Sequence, residues 1–76
     1  MQMEWQQYIE HNPEIMFGKP VVKGTRIPVA LILEKLGYGL SMEELLHAYP
    51  RLTLDAIHAS LLYAADNATH EKVMAI

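Results

Sequence analysis

"PVALILEKLGYGLSMEELLHAYPRLTLDAIHASLLYAA", residues 28–65, decides the fold, because its punctuation divides it into three helices. Pro28 suits a first helical turn, where its missing N–H would have no partner. Val29, Ile32, Leu33 and Leu36 follow at i, i+3, i+4 and i+7 and make one apolar face. Gly37 and Gly39 end that helix, one of them in the left-handed cap position. Ser41 and Glu44 have the spacing of a capping box at the start of a second helix. Its Met42, Leu45, Leu46 and Tyr49 repeat the apolar pattern before Pro50 stops it. Thr53 is the expected N-cap of a third helix, with Asp55 near the positive end of the helix dipole. The apolar face of that helix is expected over Leu54, Ile57, Leu61 and Ala65, widened by Leu62. Three helices, the last two joined by "YPRLT", define a mostly α, tri-helical bundle of helix-turn-helix type.

Upstream the pattern changes. Residues 1–12 are polar with large groups interspersed (Trp5, Tyr8 and Ile9), and "QQYIE" reads as a short strand. Asn12-Pro13 marks a turn. In "FGKPVVKGTRIPV", residues 17–29, Gly18, Pro20, Gly24 and Pro28 forbid a helix, while Val21, Val22 and Ile27 favour extended backbone. A loose hairpin, or two extended pieces turning near Lys23-Gly24, is expected there. The organisation is one domain over 1–76: an extended N-terminal segment at 1–27, a tri-helical core at 28–66, and a tail or helix extension at 67–76. The apolar end of that tail, Val73, Met74 and Ile76, is unusual for a solvated terminus.

With 76 residues the core is modest, and with no cysteine there is neither a disulfide framework nor a thiolate site. No run approaches the roughly 20 apolar residues of a membrane span. The N-terminus has neither a basic start nor an apolar core, so no signal peptide and a cytoplasmic location are expected. The net charge of −3 is unlike that of a general nucleic-acid binder. Its distribution says more, since residues 15–33 carry +3 with no acid and the rest of the chain therefore −6. A basic patch of Lys19, Lys23 and Arg26 on an acidic body suits a specific acidic surface.

Catalytic patterns are poorly matched. "GKPVVKGT" lacks the Lys followed by a hydroxyl residue that a phosphate loop needs after its second Gly, since Gly24 is followed by Thr25 and Arg26. The histidines 11, 47, 58 and 70 show no i, i+4 pair and no HExxH, so no metal is expected. His58 is placed on the inner side of the third helix as a core or groove residue, and His47 toward solvent. Glu43 and Glu44, adjacent on a helix, point about 100° apart and cannot share a proton. Ser41 is a cap, and Ser60 has no visible His–Asp partners. No enzyme activity and no cofactor are expected. As a groove reader the third helix is poor, offering Asp55, His58, Ser60, Asp66 and Asn67 without Lys or Arg. Arg51 in the preceding turn is the positive group nearby.

The segment "NPEIMFGKPVVKGTRIPVALILEKLGYGLSMEELLHAYPRLTLDAIHASLLYA" resembles the DUF433 family of small bacterial and archaeal proteins. The hallmark is GKP, two hydrophobic residues and KGTRIPV, followed by a helix, S-x-E-E with two hydrophobic residues, and Y-P-x-L-T. Gly18, Lys19, Pro20, Lys23, Gly24, Thr25, Arg26 and Pro28 match, as do Ser41, Glu43, Glu44, Tyr49, Pro50, Leu52 and Thr53. Phe17 departs from it, where a small residue is common, and Gly37-Tyr38 departs at the helix end. The resemblance implies a homeodomain-like fold and a VapB-like antitoxin role beside a PIN-like ribonuclease toxin. With it, Lys19, Lys23, Thr25 and Arg26 are candidate partner- or DNA-binding residues, joined by Arg51 from the turn before the third helix. A PIN-type site is a cluster of acids holding Mg²⁺, which a cationic segment complements. For Arg26 an internal tie to an acid such as Glu44 is the competing expectation. Operator binding by a homodimer is a compatible second role. A DNA-binding regulator without a toxin, or a dimeric interaction module using Trp5, Tyr8 and the tail 73–76, is the alternative.

Overall fold

Local sequence signals set the start of each α-helix and the end of the first. In the computed structural model, which describes residues 3–70, α1 runs Val29–Gly37, α2 Met42–Ala48 and α3 Leu54–His70. Pro28 sits one residue outside α1 as its N-cap, and its carbonyl accepts from the Leu31 and Ile32 amides at 3.1 and 3.4 Å. At the other end the Gly39 amide donates to Leu36 and the Leu40 amide to Lys35, both at 3.0 Å. That pair of bonds is a Schellman cap, and it requires the positive φ that Gly39 supplies at +100°. α2 opens with the full capping box, Glu44 N–H to Ser41 Oγ at 3.0 Å and Ser41 N–H to Glu44 Oε1 at 2.9 Å. α3 opens on Thr53, whose Oγ1 accepts from the Ala56 amide at 3.1 Å.

The chain before α1 is more structured than its sequence suggests. "QQYIE" is divided, with Trp5–Gln7 forming a 3-10 turn and Ile9–His11 forming β1. β1 pairs antiparallel with β2, Pro20–Val22, in the register Ile9 to Val22, Glu10 to Val21 and His11 to Pro20. β2 then folds back on the entry to α1, since the Val22 amide donates to Ile27 at 2.9 Å and Val21 bridges Pro28. The architecture is a tri-helical bundle with a small two-stranded sheet laid against one side.

Two apolar clusters hold these layers. Val22, Ile32, Leu45, Leu52, Ala56 and Ile57 form the centre of the bundle, with Ile27, Leu36, Leu40, Met42, Leu46 and Tyr49 around it. Ile9, Val29 and Ala59 form the second cluster, packed by Met3, Trp5, Tyr8, Leu33 and Tyr63. Trp5 meets Tyr63 edge-on at 5.0 Å between ring centroids, a geometry that adds to simple burial. Trp5 and Tyr8 are therefore half-buried internal contacts, not the exposed contact groups expected of an interaction module. The tail residues 73–76 invoked for the same module lie outside the described residues.

The face of α3 differs from expectation. Ile57 is buried as anticipated, but its companions are Ala56, Ala59 and Ser60, whereas Leu54, Leu61, Leu62 and Ala65 are exposed. The small side chains admit α1 and β1 at close range, and the leucines point away from both. Burying Ser60 is inexpensive because its Oγ donates to the Ala56 carbonyl one turn back at 2.8 Å. Sealed at 0 % exposure, Ser60 is out of reach of any substrate. His58 lies exposed on the outer face of α3, where it borders a surface hollow and not the core, while His47 is exposed as anticipated.

Leu45 has no exposed surface, so Leu45→Ala is expected to destabilise the fold by about 2–5 kcal/mol, read as a lower urea midpoint. Leu62→Ser on the outer face should shift it by no more than about 0.5 kcal/mol. The Ser41 backbone N–H, and then its hydroxyl, hold Glu44 below its ordinary pKa of 4.5. Folding thus favours the Glu44 carboxylate, and its contribution is complete above that ordinary value and lost as pH falls through the lower folded one. Glu44→Gln should flatten this part of the acid-unfolding curve and leave neutral-pH helicity in place.

Candidate partner-binding groove

The segment Lys23–Arg26 is a turn whose path is fixed by two of its four residues. The Thr25 amide donates to the Val22 carbonyl at 3.0 Å, with Gly24 at φ +80° in the position where a type II turn needs a positive φ. Thr25 then clips the turn from inside. Its hydroxyl donates to the Val22 carbonyl at 2.8 Å and accepts from the Ile27 amide at 3.0 Å. Two outside bonds fasten the turn to β1 and the residue before it: Lys23 N–H to the Tyr8 carbonyl at 2.8 Å and Gly24 N–H to Glu10 Oε2 at 3.4 Å. Gly24 and Thr25 are thus accounted for by the backbone. Lys23 and Arg26 are exposed and have no such task.

Arg51 reaches the same region from the far end of the sequence. Pro50 and Arg51 are the central pair of a turn closed by the Leu52 amide on the Tyr49 carbonyl at 2.9 Å. Leu52 is buried directly after them and pins that turn to the bundle, so Arg51 is held outward. Between the two turns lies an open groove of about 610 Å³, with Thr25, Arg26 and Arg51 in its walls and Ile15, Ile27 and Tyr49 among its apolar lining.

Of the five candidate residues, Thr25, Arg26 and Arg51 therefore share one groove, and Lys23 stands on the adjoining turn. Lys19 does not join them. It precedes β2 while Lys23 follows it, so roughly 13 Å of extended chain separates the two. Glu10, which the sequence reading passed over, is the acid in the groove wall; its strand register opposite Val21 could be found only from the pairing. The expected tie of Arg26 to Glu44 does not form, because Glu44 is occupied by the Ser41 cap. Arg26 makes no hydrogen bond or ion pair with any described residue. Two guanidinium groups lining a concave, partly apolar surface can grip a carboxylate or phosphate oxygen pair through two parallel N–H bonds.

A second, wider hollow of about 1100 Å³ lies between Met3–Gln6 and the outer face of α3, bordered by His58, Leu61, Leu62 and Ala65. Its charged residues include the acids Glu4 and Asp66, opposite in sign to the two arginines. Among the described residues no three His, Asp or Glu side chains are grouped to hold a metal, and no helix is long and apolar enough to cross a membrane.

A tri-helical helix-turn-helix domain with a short sheet and a two-arginine groove is the class this geometry defines. The chain belongs to the DUF433 family, whose description is "Protein of unknown function (DUF433)", over residues 9–64. The uncharacterized protein y4eO of Sinorhizobium fredii (strain NBRC 101917 / NGR234) is 36% identical over 61 residues, which is 80% of this chain and 28% of that protein. A crystal structure of a DUF433 member protein from Anabaena variabilis ATCC 29413 matches with a TM-score of 0.77 at 31% identity, over 84% of this chain and 63% of the other. The chain thus spans less than a third of the first relative's length and about two thirds of the second's.

Thr25→Val keeps the shape of the side chain and removes both hydroxyl bonds. It should cost about 1–2 kcal/mol in stability, and the Ile27 amide should exchange with deuterium faster than in the wild type.

Proposed function

We propose that the protein is the antitoxin of a type II toxin–antitoxin pair and neutralises a PIN-like ribonuclease by placing Arg26, with Arg51, against the carboxylates of the toxin's metal site. The observation that carries this reading is that both arginines line one open groove while Arg26 has no partner among the described residues. An arginine whose charge is already satisfied internally has little to offer a second acid. An unpaired one on a rigid turn keeps its hydrogen-bonding capacity for a partner. The clip made by Thr25 supports the same reading, because a preorganised turn loses little freedom on binding.

Operator binding is the second reading, favoured by the place of Arg51 in the turn before α3. The exposed residues at the head of α3 are Leu54, Asp55 and His58, which carry no Lys or Arg for bases or phosphates. DNA would therefore meet the basic turns, and a homodimer would present them twice, one set for each half-site.

The test is co-purification with the product of the neighbouring reading frame, followed by a ribonuclease assay. The wild-type protein is expected to bind and silence the nuclease. Arg26→Glu should weaken the complex by roughly 30-fold or more with an unchanged melting temperature. Unaltered affinity of that variant would remove Arg26 from the interface. Binding to operator DNA without binding to a nuclease would make the second reading the correct one.

A further inference from the structure

Among the described residues, the loop from Asn12 to Lys19 holds the only non-glycine residues with a positive φ and displays the most exposed large apolar side chain. Met16 and Phe17 have φ +52° and +58°, and Gly18 follows at +81°. Glycine enters this left-handed region freely, while two successive residues with a Cβ are strained there. A network of short bonds enforces the conformation: Ile15 N–H to Asn12 O at 2.8 Å, Gly18 N–H to Ile15 O at 3.1 Å and Lys19 N–H to Met16 O at 3.1 Å. Asn12 Oδ1 also accepts from the Glu14 amide at 2.9 Å. The strain buries nothing. Phe17 remains 96% exposed and Met16 42%.

A glycine at position 17 would follow the same backbone with less strain and no exposed ring, so the aromatic side chain is not there for the fold. Its position supplies a purpose. Ile15, two residues earlier on the same loop, lines the groove that holds Arg26 and Arg51. Phe17 therefore stands, exposed, two residues beyond Ile15 on the loop that supplies part of this groove's wall. Protein interfaces concentrate their binding energy in such sets, an aromatic that fills a pocket next to arginines that find acids.

We propose that Phe17 is the apolar anchor of the groove's partner, and that the partner is a protein surface with an apolar hollow beside its carboxylates. This rests on the antitoxin reading and narrows it, since a nucleic acid would recognise the loop differently. A phosphate chain passing Phe17 would meet Glu14 as well as Lys19 on that loop, and Glu10 in the groove wall. A surface of mixed charge with a projecting ring suits a protein, whose own acids and apolar groups alternate over similar distances.

The experiment measures affinity for the PIN-like nuclease of the neighbouring gene, and the melting temperature, for wild type, Phe17→Gly, Phe17→Asn and Arg26→Glu. Both position-17 variants tolerate left-handed backbone, so each is expected to melt at or above the wild-type temperature. Each should bind the nuclease about 30-fold or more weakly. If both bind within about threefold of wild type while Arg26→Glu loses affinity, the groove reading stands and the anchor is refuted. If wild type does not bind the nuclease, both fall together. If the variants lose affinity for a single-stranded oligonucleotide of mixed sequence and keep it for the nuclease, Phe17 stacks on bases and the protein anchor is refuted. A melting temperature several degrees below wild type in both variants would show that the ring serves the fold, which refutes it as well.

Discussion

Two of the three helices are too short to persist alone. α1 has nine residues and α2 seven, whereas isolated helices below about 12–15 residues are marginal in water. Everything else in the molecule follows from the need to hold them by burial. Ile32 of α1, Leu45 of α2 and Ile57 of α3 meet at the centre with no exposed surface, and each short helix is defined by caps as well as by packing. Three helices of this size still leave one flank of α1 and α3 uncovered. The N-terminal segment closes it, with Ile9 and Trp5 lying against Val29, Ala59 and Tyr63. The segment upstream of the bundle is thus a structural layer, and its turns are as constrained as the helices.

That constraint gives the basic turn its character. A flexible Lys–Gly–Thr–Arg stretch would present charge without direction. Here β2 is paired on one side with β1, and its last residue bonds Ile27 on the other, so the turn has little room to move. Glycine and threonine set the path, and the two cations are left on the outside. The same logic applies across the groove, where Pro50 and buried Leu52 fix the turn that carries Arg51. Both arginines owe their positions to neighbours that are explained by folding, while neither arginine is.

What the sequence made legible was local. Pro28, Gly39, the Ser41–Glu44 box and Thr53 act within a few residues of themselves, so helix limits could be read directly. The inner face of α3 could not, because Leu54, Leu61 and Leu62 outweigh Ala56, Ala59 and Ser60 in hydrophobicity. Closeness of approach to α1 and β1, a tertiary quantity, chose the small residues. The pairing of β1 with β2 was hidden for a similar reason: three-residue strands show no useful alternation, and nothing local links Glu10 to Val21. The basic residues were visible from charge alone, but their grouping was not. Arg51 enters the groove and Lys19 leaves it only when the turns are placed in space. The left-handed backbone at Met16 and Phe17 was illegible, since neither side chain favours it.

Strain and satisfaction are unevenly distributed over this small domain. Among the described residues no buried side-chain polar atom lacks a partner, and the caps and turns use their residues as physical chemistry would choose them. The exceptions gather in one stretch of the sequence. The non-glycine left-handed residues, the most exposed aromatic and an arginine without an internal partner all occur between positions 16 and 26. A domain of this length has a stability of only several kcal/mol, so two strained residues of about 1–2 kcal/mol each are a substantial fraction of it. Local departures from good folding chemistry persist where something other than folding selects them. Their concentration on the stretch of chain that also gives Ile15 and Arg26 to the two-arginine groove, and not around the wider hollow on α3, is the physical ground on which the proposed partner is assigned to that groove.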